Sequence, residues 1–355
     1  MCLEMSKVTI DTYYGTLPIP ILNNEEVQKM KVVLLDSQII KGYDYSIEQK
    51  IVEDAGFTFV KETCTNEDEI IERCADADAI LNITLKMTEK SISKLDKCKI
   101  MIRYGIGVNE FDFDAANKKG IQIANCTTYC LPEVAIHATT LLLALSRNLK
   151  HYDIVVAEGK WNQAPGTMER RATSQTLSLV GFGNIARNIA KNMQGLGYNV
   201  AAYDPYVADD VFKNAGVQRF TSLDEVYAQS DMISLHLPET NETKHMLNKD
   251  TFAKMKDGVI LVNCSRGGLI NTPDLVAALD SGKVGSAGLD VLETEPMTDT
   301  SFALLNRNNV IITPHFAYRS REANQELFKQ VAETAVASLK GELPENVLNK
   351  KELGL

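Results

Sequence analysis

Residues 178–186 read Ser-Leu-Val-Gly-Phe-Gly-Asn-Ile-Ala, an apolar run that passes directly into G-x-G-x-x-A. A helix-like stretch follows over 187–196, then a second apolar run over 198–203 that ends at Asp204. Strand, glycine turn, helix, strand and acid in this order are the parts a parallel sheet needs to hold a dinucleotide. Gly181 permits the tight turn. Gly183 lets the backbone approach a pyrophosphate seated on the positive end of the helix. Phe182, Asn184 and Ile185 complete the loop, and Ala186 stands where the third glycine is often found. Asp204, followed by Pro205, is placed to accept hydrogen bonds from the adenosine ribose hydroxyls. A carboxylate there repels a 2′-phosphate, so NAD is expected rather than NADP.

The rest of the chain alternates in the same way. Apolar runs at 31–36, 57–61, 79–83, 100–104 and 121–124 are separated by helical stretches at 46–55, 67–74, 88–95 and 113–118. A second array has runs at 177–180, 199–203, 232–235, 259–263, 286–289 and 310–313. Repeated strand–helix–strand units imply mostly parallel sheets. The stretch 131–149 is apolar on nearly every side, so burial between two layers, or at a subunit interface, is expected. The helix at 321–340 is expected to return to the first array. The prediction is an α/β chain of two Rossmann-like domains with a cleft between them. Residues 1–30 form an extension, and 31–126 with 318–355 a discontinuous flavodoxin-like substrate domain. Residues 127–317 form an inserted NAD-binding domain.

A chain of 355 residues is long enough for about two such domains. Its net charge of −10 argues against nucleic acid or an anionic membrane surface as partner. Any anionic substrate must then meet a local cation. The seven cysteines are odd in number and contain no C-x-x-C. Cys126 and Cys130 have no second ligand pair nearby, so no metal site is expected, and reduced thiols fit a cytoplasmic protein. The N-terminus shows no leader pattern. The apolar stretch at 134–149 is interrupted by His137, Thr139, Thr140, Ser146 and Arg147, which excludes a membrane span.

Three strand ends carry residues with chemistry. In 262–268, Arg266 follows an apolar run and precedes two glycines, an arrangement that lets a guanidinium grip a carboxylate bidentately. In 287–296, Asp290, Glu293 and Glu295 lie close together, with Glu293 read as a solvated loop charge. In 311–317, His315 follows an apolar run and a proline, which suits a proton donor better than a core residue.

GFGNIA with Tyr203-Asp204-Pro205, SLHLPETNETKHML, VNCSRGGLI, GLDVLETEP and TPHFA occur in this order. Together they resemble the D-isomer-specific 2-hydroxyacid dehydrogenases over about residues 31 to 340. The resemblance implies an NAD-dependent oxidoreductase that interconverts a small 2-keto acid and its D-2-hydroxy acid. It implies that Arg266 binds substrate, that His315 donates and accepts the proton, and that Glu295 pairs with His315. A carboxylate beside the ring would favour the imidazolium. It also implies that Asp290 contacts the nicotinamide carboxamide, and that His236, Pro238, Thr243 and Cys264 line the cofactor. Such enzymes are typically homodimers.

On the substrate side, the loop around Ile106 and Gly107 resembles the family's carboxylate-binding glycine loop. The usual Asp-Asn after that loop is replaced by Asn109-Glu110. Tyr129 aligns with a substrate-facing tyrosine of D-lactate-type enzymes and is the candidate for specificity; a buried hinge aromatic is the competing reading. Asn82 replaces a phosphate-binding arginine, and no C-terminal amino-acid-binding domain follows, so 3-phosphoglycerate is the less favoured substrate. A rival class shares these residues: the C-terminal binding proteins, NAD(H)-sensing corepressors, which residues 129–137 also resemble.

Overall fold

The computed structural model describes residues 30–36, 44–161 and 169–355. The expected N-terminal extension lies outside them, apart from Met30. The chain divides into two compact units, one running to Cys126 and resuming over Phe328–Leu355, the other spanning Thr127–Leu327. The division falls within the helix Arg321–Leu339, whereas the sequence placed it at 317/318.

The first unit holds β1 (Lys31–Leu35), β2 (Thr58–Glu62), β3 (Ala79–Asn82), β4 (Ile100–Arg103) and β5 (Gln122–Ala124), in the order β2-β1-β3-β4-β5. All four pairings are parallel. This is the flavodoxin-like order. Val32 to Leu35 and Ala79 to Leu81 are fully buried, as continuous apolar runs must be in a sheet covered on both faces. The C-terminal segment closes onto β5. Leu348 N–H donates to Ile123 O at 2.8 Å, and Ile123 N–H donates to Asn349 Oδ1 at 2.9 Å. That pairing explains why a segment so distant in sequence belongs to the first unit.

The second unit holds seven parallel strands: β6 (Thr176–Val180), β7 (Asn199–Tyr203), β8 (Gln218–Arg219), β9 (Met232–Leu235), β10 (Val259–Asn263), β11 (Val284–Leu289) and β12 (Val310–Ile312). Their order is β12-β11-β10-β9-β6-β7-β8. The strand order reverses at β6, and ligands of such sheets bind at the carboxyl ends beside that reversal. The sequence missed β8, two polar residues at the sheet edge with no apolar run to announce them. The stretch 131–149 also differs from expectation. Its helix covers Leu131–Ser146, and a second helix, Leu149–Ala157, starts after Asn148 at φ +50°. One stripe, including Ala138, Leu141, Leu142 and Leu145, packs on the core, while Ile136 is 59% exposed. Each fully buried leucine contributes about 1.5–3 kcal/mol. Burial is therefore one-sided. A β-carbon on Gly288 of β11 would lie 3.1 Å from both Leu141 Cβ and Leu145 Cδ1, so the glycine sets how closely helix and sheet approach.

Candidate active site

At the end of β6 the chain turns through Gly181 at φ +88°. A β-carbon there would sit 2.2 Å from the His236 carbonyl oxygen, so only glycine fits. Gly183 then precedes the helix Asn184–Gly195, and no side chain caps it. Arg187 N–H makes the first helical bond, to Gly183 O at 3.0 Å. Among the described residues the N–H groups of Gly183, Asn184 and Ile185 have no acceptor. A β-carbon on Gly183 would meet nothing within 4 Å. Three open donors, a helix N-terminus and free space before them fit a pyrophosphate. At the end of β7, Asp204 accepts from Phe182 N–H and from Tyr206 N–H, both at 2.9 Å, which fixes its carboxylate at the edge of the turn. Pro205 is exposed beside it. These residues fit an NAD dinucleotide.

Phe182 itself holds the turn from behind. Its ring is fully buried and stacks on Phe212 at 4.7 Å. Its N–H is taken by Asp204 and its carbonyl accepts from Arg187 Nη1 at 3.0 Å, so its N–H is already used within the protein.

The stretch after β9 is closed by its own bonds. His236 N–H donates to Val180 O at 2.7 Å, and its Nε2 pairs with Ser234 Oγ at 2.8 Å. Burial of the ring holds His236 well below the ordinary imidazole value, so it is neutral near pH 7. Thr243 Oγ1 donates to Pro238 O at 2.8 Å. Burial, then the nearby Asp290 charge, push the Cys264 thiol upward, which keeps it an unreactive thiol.

The ends of β10, β11 and β12 bring three expected residues together. Asn263, fully buried, donates to Arg266 O at 2.8 Å and accepts from Ser265 N–H at 3.0 Å, shaping the turn that presents Arg266. Arg266 Nη1 donates to Ser265 O at 2.6 Å. Glu295 accepts from Leu292 N–H at 2.8 Å through Oε1 and lies 2.7 Å from His315 Nδ1 through Oε2. Burial pushes the Glu295 carboxyl up. The His315 hydrogen bond, the Leu292 N–H and the charges of His315 and Arg266 together outweigh it and hold the carboxyl below its usual range. An ionised carboxylate only accepts, which assigns a proton to Nδ1 and leaves Nε2 as the exchanging nitrogen.

His315 sits at φ +58°, a conformation rarely adopted by a residue with a β-carbon. Its N–H donates to Asp290 O at 2.8 Å and Thr313 O at 3.0 Å. Asp290 is 1% exposed. Its carboxylate accepts from the Thr313 hydroxyl at 2.5 Å, Phe316 N–H at 3.0 Å and Ala317 N–H at 2.9 Å. His137 Nε2 stands 3.0 Å from Thr313 Oγ1 and 3.6 Å from Asp290 Oδ1. The resemblance implies that Asp290 contacts the nicotinamide; the geometry shows that it also braces the His315 turn. His137 and Thr313 were not anticipated, and a lone histidine in an apolar helix was the available signal. Glu293, read as a solvated loop charge, is exposed but also paired. It accepts from His245 and from Thr272 N–H, and no spacing rule would have paired it.

The family model described as D-isomer specific 2-hydroxyacid dehydrogenase, NAD binding domain, matches residues 139–317. A hydroxypyruvate reductase of Blautia hydrogenotrophica is 36% identical over 90% of this chain and all of its own length. The chain belongs to the D-isomer-specific 2-hydroxyacid dehydrogenases. It is an NAD-dependent oxidoreductase acting on CH–OH donors. A D-3-phosphoglycerate dehydrogenase of Methanocaldococcus jannaschii is 36% identical over 84% of this chain, which spans only 57% of that relative. A D-lactate dehydrogenase of Aquifex aeolicus, solved with NAD and lactic acid, aligns with a TM-score of 0.77 and 30% identity, covering 88% of this chain and 96% of that one. Among the described residues there is no metal-binding cluster and no helix long and apolar enough to cross a membrane.

In the first unit of this dehydrogenase, β4 runs into Gly105 at φ +138°. The loop is held by Cys126 N–H to Gly105 O at 2.9 Å and Asn125 Nδ2 to Ile106 O at 2.6 Å. Among the described residues the N–H groups of Ile106 and Gly107 have no acceptor. Arg103 forms an ion pair with Glu110, Nε to Oε2 at 3.2 Å. Asn82 is fully buried and bonds Leu85 through both its N–H and C=O groups. In the second unit, Tyr129 is 8% exposed and meets Tyr318 edge-on at 6.3 Å. That geometry is the packed aromatic of the competing reading rather than an open specificity residue.

Proposed function

We propose that this dehydrogenase reduces a small unphosphorylated 2-keto acid to its D-2-hydroxy acid and runs the reverse oxidation. The observation that carries the reading is the 2.7 Å His315–Glu295 pair with the Arg266 charge beside it. Bound NAD supplies or takes up the hydride at the substrate's second carbon. In the reduction His315 gives its Nε2 proton to the ketone oxygen; in the oxidation the neutral ring takes the hydroxyl proton. Glu295 fixes the ring's tautomer and orientation. Arg266 grips the substrate carboxylate and polarises the carbonyl. The free N–H groups of Ile106 and Gly107 are anion donors of the same kind. Gly183, Asn184 and Ile185 take the pyrophosphate, Asp204 the ribose hydroxyls, and the segments of His236, Pro238, Thr243 and Cys264 line the cofactor.

Phosphate recognition is disfavoured because Asn82 is buried and engaged and Arg103 is neutralised by Glu110. Hydroxypyruvate, the substrate that names the Blautia relative, belongs to the class proposed. The unit is proposed to work as a cytoplasmic homodimer. Free thiols at Cys64, Cys74, Cys98, Cys130 and Cys264 support the compartment, and exposed Ile136, Leu149 and Val156 on consecutive helices support the pairing. The test is NADH consumption against glyoxylate, pyruvate, hydroxypyruvate, branched, aromatic and phosphorylated 2-keto acids. Turnover of a small unphosphorylated acid supports the reading. Turnover confined to phosphorylated acids refutes it, and tight NADH binding with no turnover across the panel points to an NAD(H)-sensing role or to a substrate outside the panel.

A further inference from the structure

Two residues before Glu295, the same loops hold a second imidazole–carboxylate pair that the reaction above does not use. His245 Nε2 stands 2.6 Å from Glu293 Oε1, and Glu293 Oε2 accepts from Thr272 N–H at 2.7 Å. His245 N–H donates to Gly268 O at 2.7 Å, and Asn248 Nδ2 donates to His245 O at 2.9 Å. The His245 backbone lies at φ +52°, a left-handed conformation that persists only where surroundings over-determine it. Arg266 is followed by Gly267 and Gly268, and both are pressed. A β-carbon on Gly267 would lie 2.0 Å from the Leu292 carbonyl carbon and oxygen and 2.5 Å from Glu293 N. One on Gly268 would lie 2.5 Å from the Glu239 carboxylate. Leu292, in turn, holds Glu295 through its N–H.

We infer that His245 and Glu293 are positioning residues for Arg266. Their pair clamps the Gly267–Gly268 turn onto the Leu292–Glu295 loop and so sets the guanidinium against the His315–Glu295 pair. The inference rests on Arg266 as the substrate-binding cation proposed above. Burial raises the Glu293 carboxyl, but the Thr272 and His245 bonds outweigh it, so the pair keeps its anion. The Glu239 carboxylate lies against Gly268, and Arg266 and Glu295, whose charges interact, stand on the two segments the clamp joins. The side chains of His245 and Glu293 are 36% and 27% exposed. A pair this open contributes little to stability, so its loss should be read in kinetics.

The test is His245→Asn, with Glu293→Gln as a second variant should the first fail to fold. Asparagine tolerates the left-handed backbone but is too short to reach Glu293. Expected are a rise of about 10-fold or more in KM for the keto acid and an NADH Kd within about twofold of the parent, as for a misplaced substrate clamp. In an Arg266→Ala background the same substitution should change kcat/KM by less than about twofold, because the residue it acts through is gone. An unchanged KM in the parent background, or a full additive loss in the Arg266→Ala background, overturns the inference. An Arg266→Ala variant that keeps the parent's KM overturns the substrate role of Arg266 itself, a separate and distinguishable failure.

Discussion

Gly267→Ala is the sharpest probe of how the Arg266 turn is held. The added β-carbon would lie 2.0 Å from the carbonyl carbon and oxygen of Leu292, where ordinary contact begins at 3.4 Å. The shortfall is 3.4 − 2.0 = 1.4 Å, and both partners are backbone, so no rotamer change relieves it. Either the Arg266 turn or the Leu292–Glu295 loop must move. Overpacking of this kind costs about 1–3 kcal/mol, which lowers Tm by about 2–4 °C per kcal/mol in a domain of this size. The catalytic consequence is larger, because a displacement of about 1 Å in a positioning group costs about 100-fold in rate. Steady-state NADH oxidation with the best keto acid should show kcat/KM reduced by about two orders of magnitude. Gly195→Ala is the control, since a β-carbon there meets nothing within 4 Å at the end of a helix. A Gly267→Ala enzyme with the parent's Tm and kcat/KM within about threefold would refute the argument that this contact positions Arg266.

Gly183→Ala should behave in the opposite way: its β-carbon has open space in the protein, so Tm without cofactor stays unchanged while NADH affinity, read by fluorescence titration, falls at least about 10-fold. His315→Ala should lower kcat by about 100-fold or more with NADH binding retained, and turnover near the parent rate would remove His315 from the proton-transfer role. Glu48, fully buried against the Tyr104 hydroxyl at 2.8 Å, is raised by burial to about 7, against the partial relief of its own backbone N–H and of Tyr104. The folded chain keeps that proton where the unfolded chain has released it, so stability should fall as pH rises from about 4.5 towards 7 and level off above. The parent should lose up to about 3 kcal/mol more than Glu48→Gln between pH 5 and pH 8 in urea titrations, and equal losses would show that Glu48 is not the proton holder.

The strands of both sheets were legible because parallel strands covered on two faces must be apolar throughout, as β1 and β3 are. The edge strand β8 was not, since Gln218 and Arg219 pair on one side only and carry no core. Gly181 and Gly183 were legible as a turn within a strand–helix context. Arg266 and His315 stood out because each follows an apolar strand, whereas the pairing of Glu295 with His315 was expected only from the family resemblance. What each neighbour does was not legible. Asp290 has the residue type of a ligand contact, and its burial and three donors, invisible in the sequence, make it a brace as well. Phe182 occupies the glycine turn, yet its ring belongs to the core. Tyr129 packs on Tyr318.

The sequence alone determined the two arrays, their parallel sheets, the dinucleotide turn and the chemistry of the strand ends. Those features rest on local rules: residue periodicity, the torsional freedom of glycine, and which side chains carry charge or a titratable proton. The tertiary structure alone decided which polar groups meet. His137 and Thr313 are separated by 176 positions and His245 and Glu293 by 48; the first pair joins a helix to the residue after β12, and the second joins the loops after β9 and β11. Helical or strand spacing reaches only a few residues along the chain, so it cannot register such pairings. They arise from the tertiary packing: the order β12-β11-β10-β9 sets the loops beyond these strands near one another, and the helix of His137 packs against the same sheet.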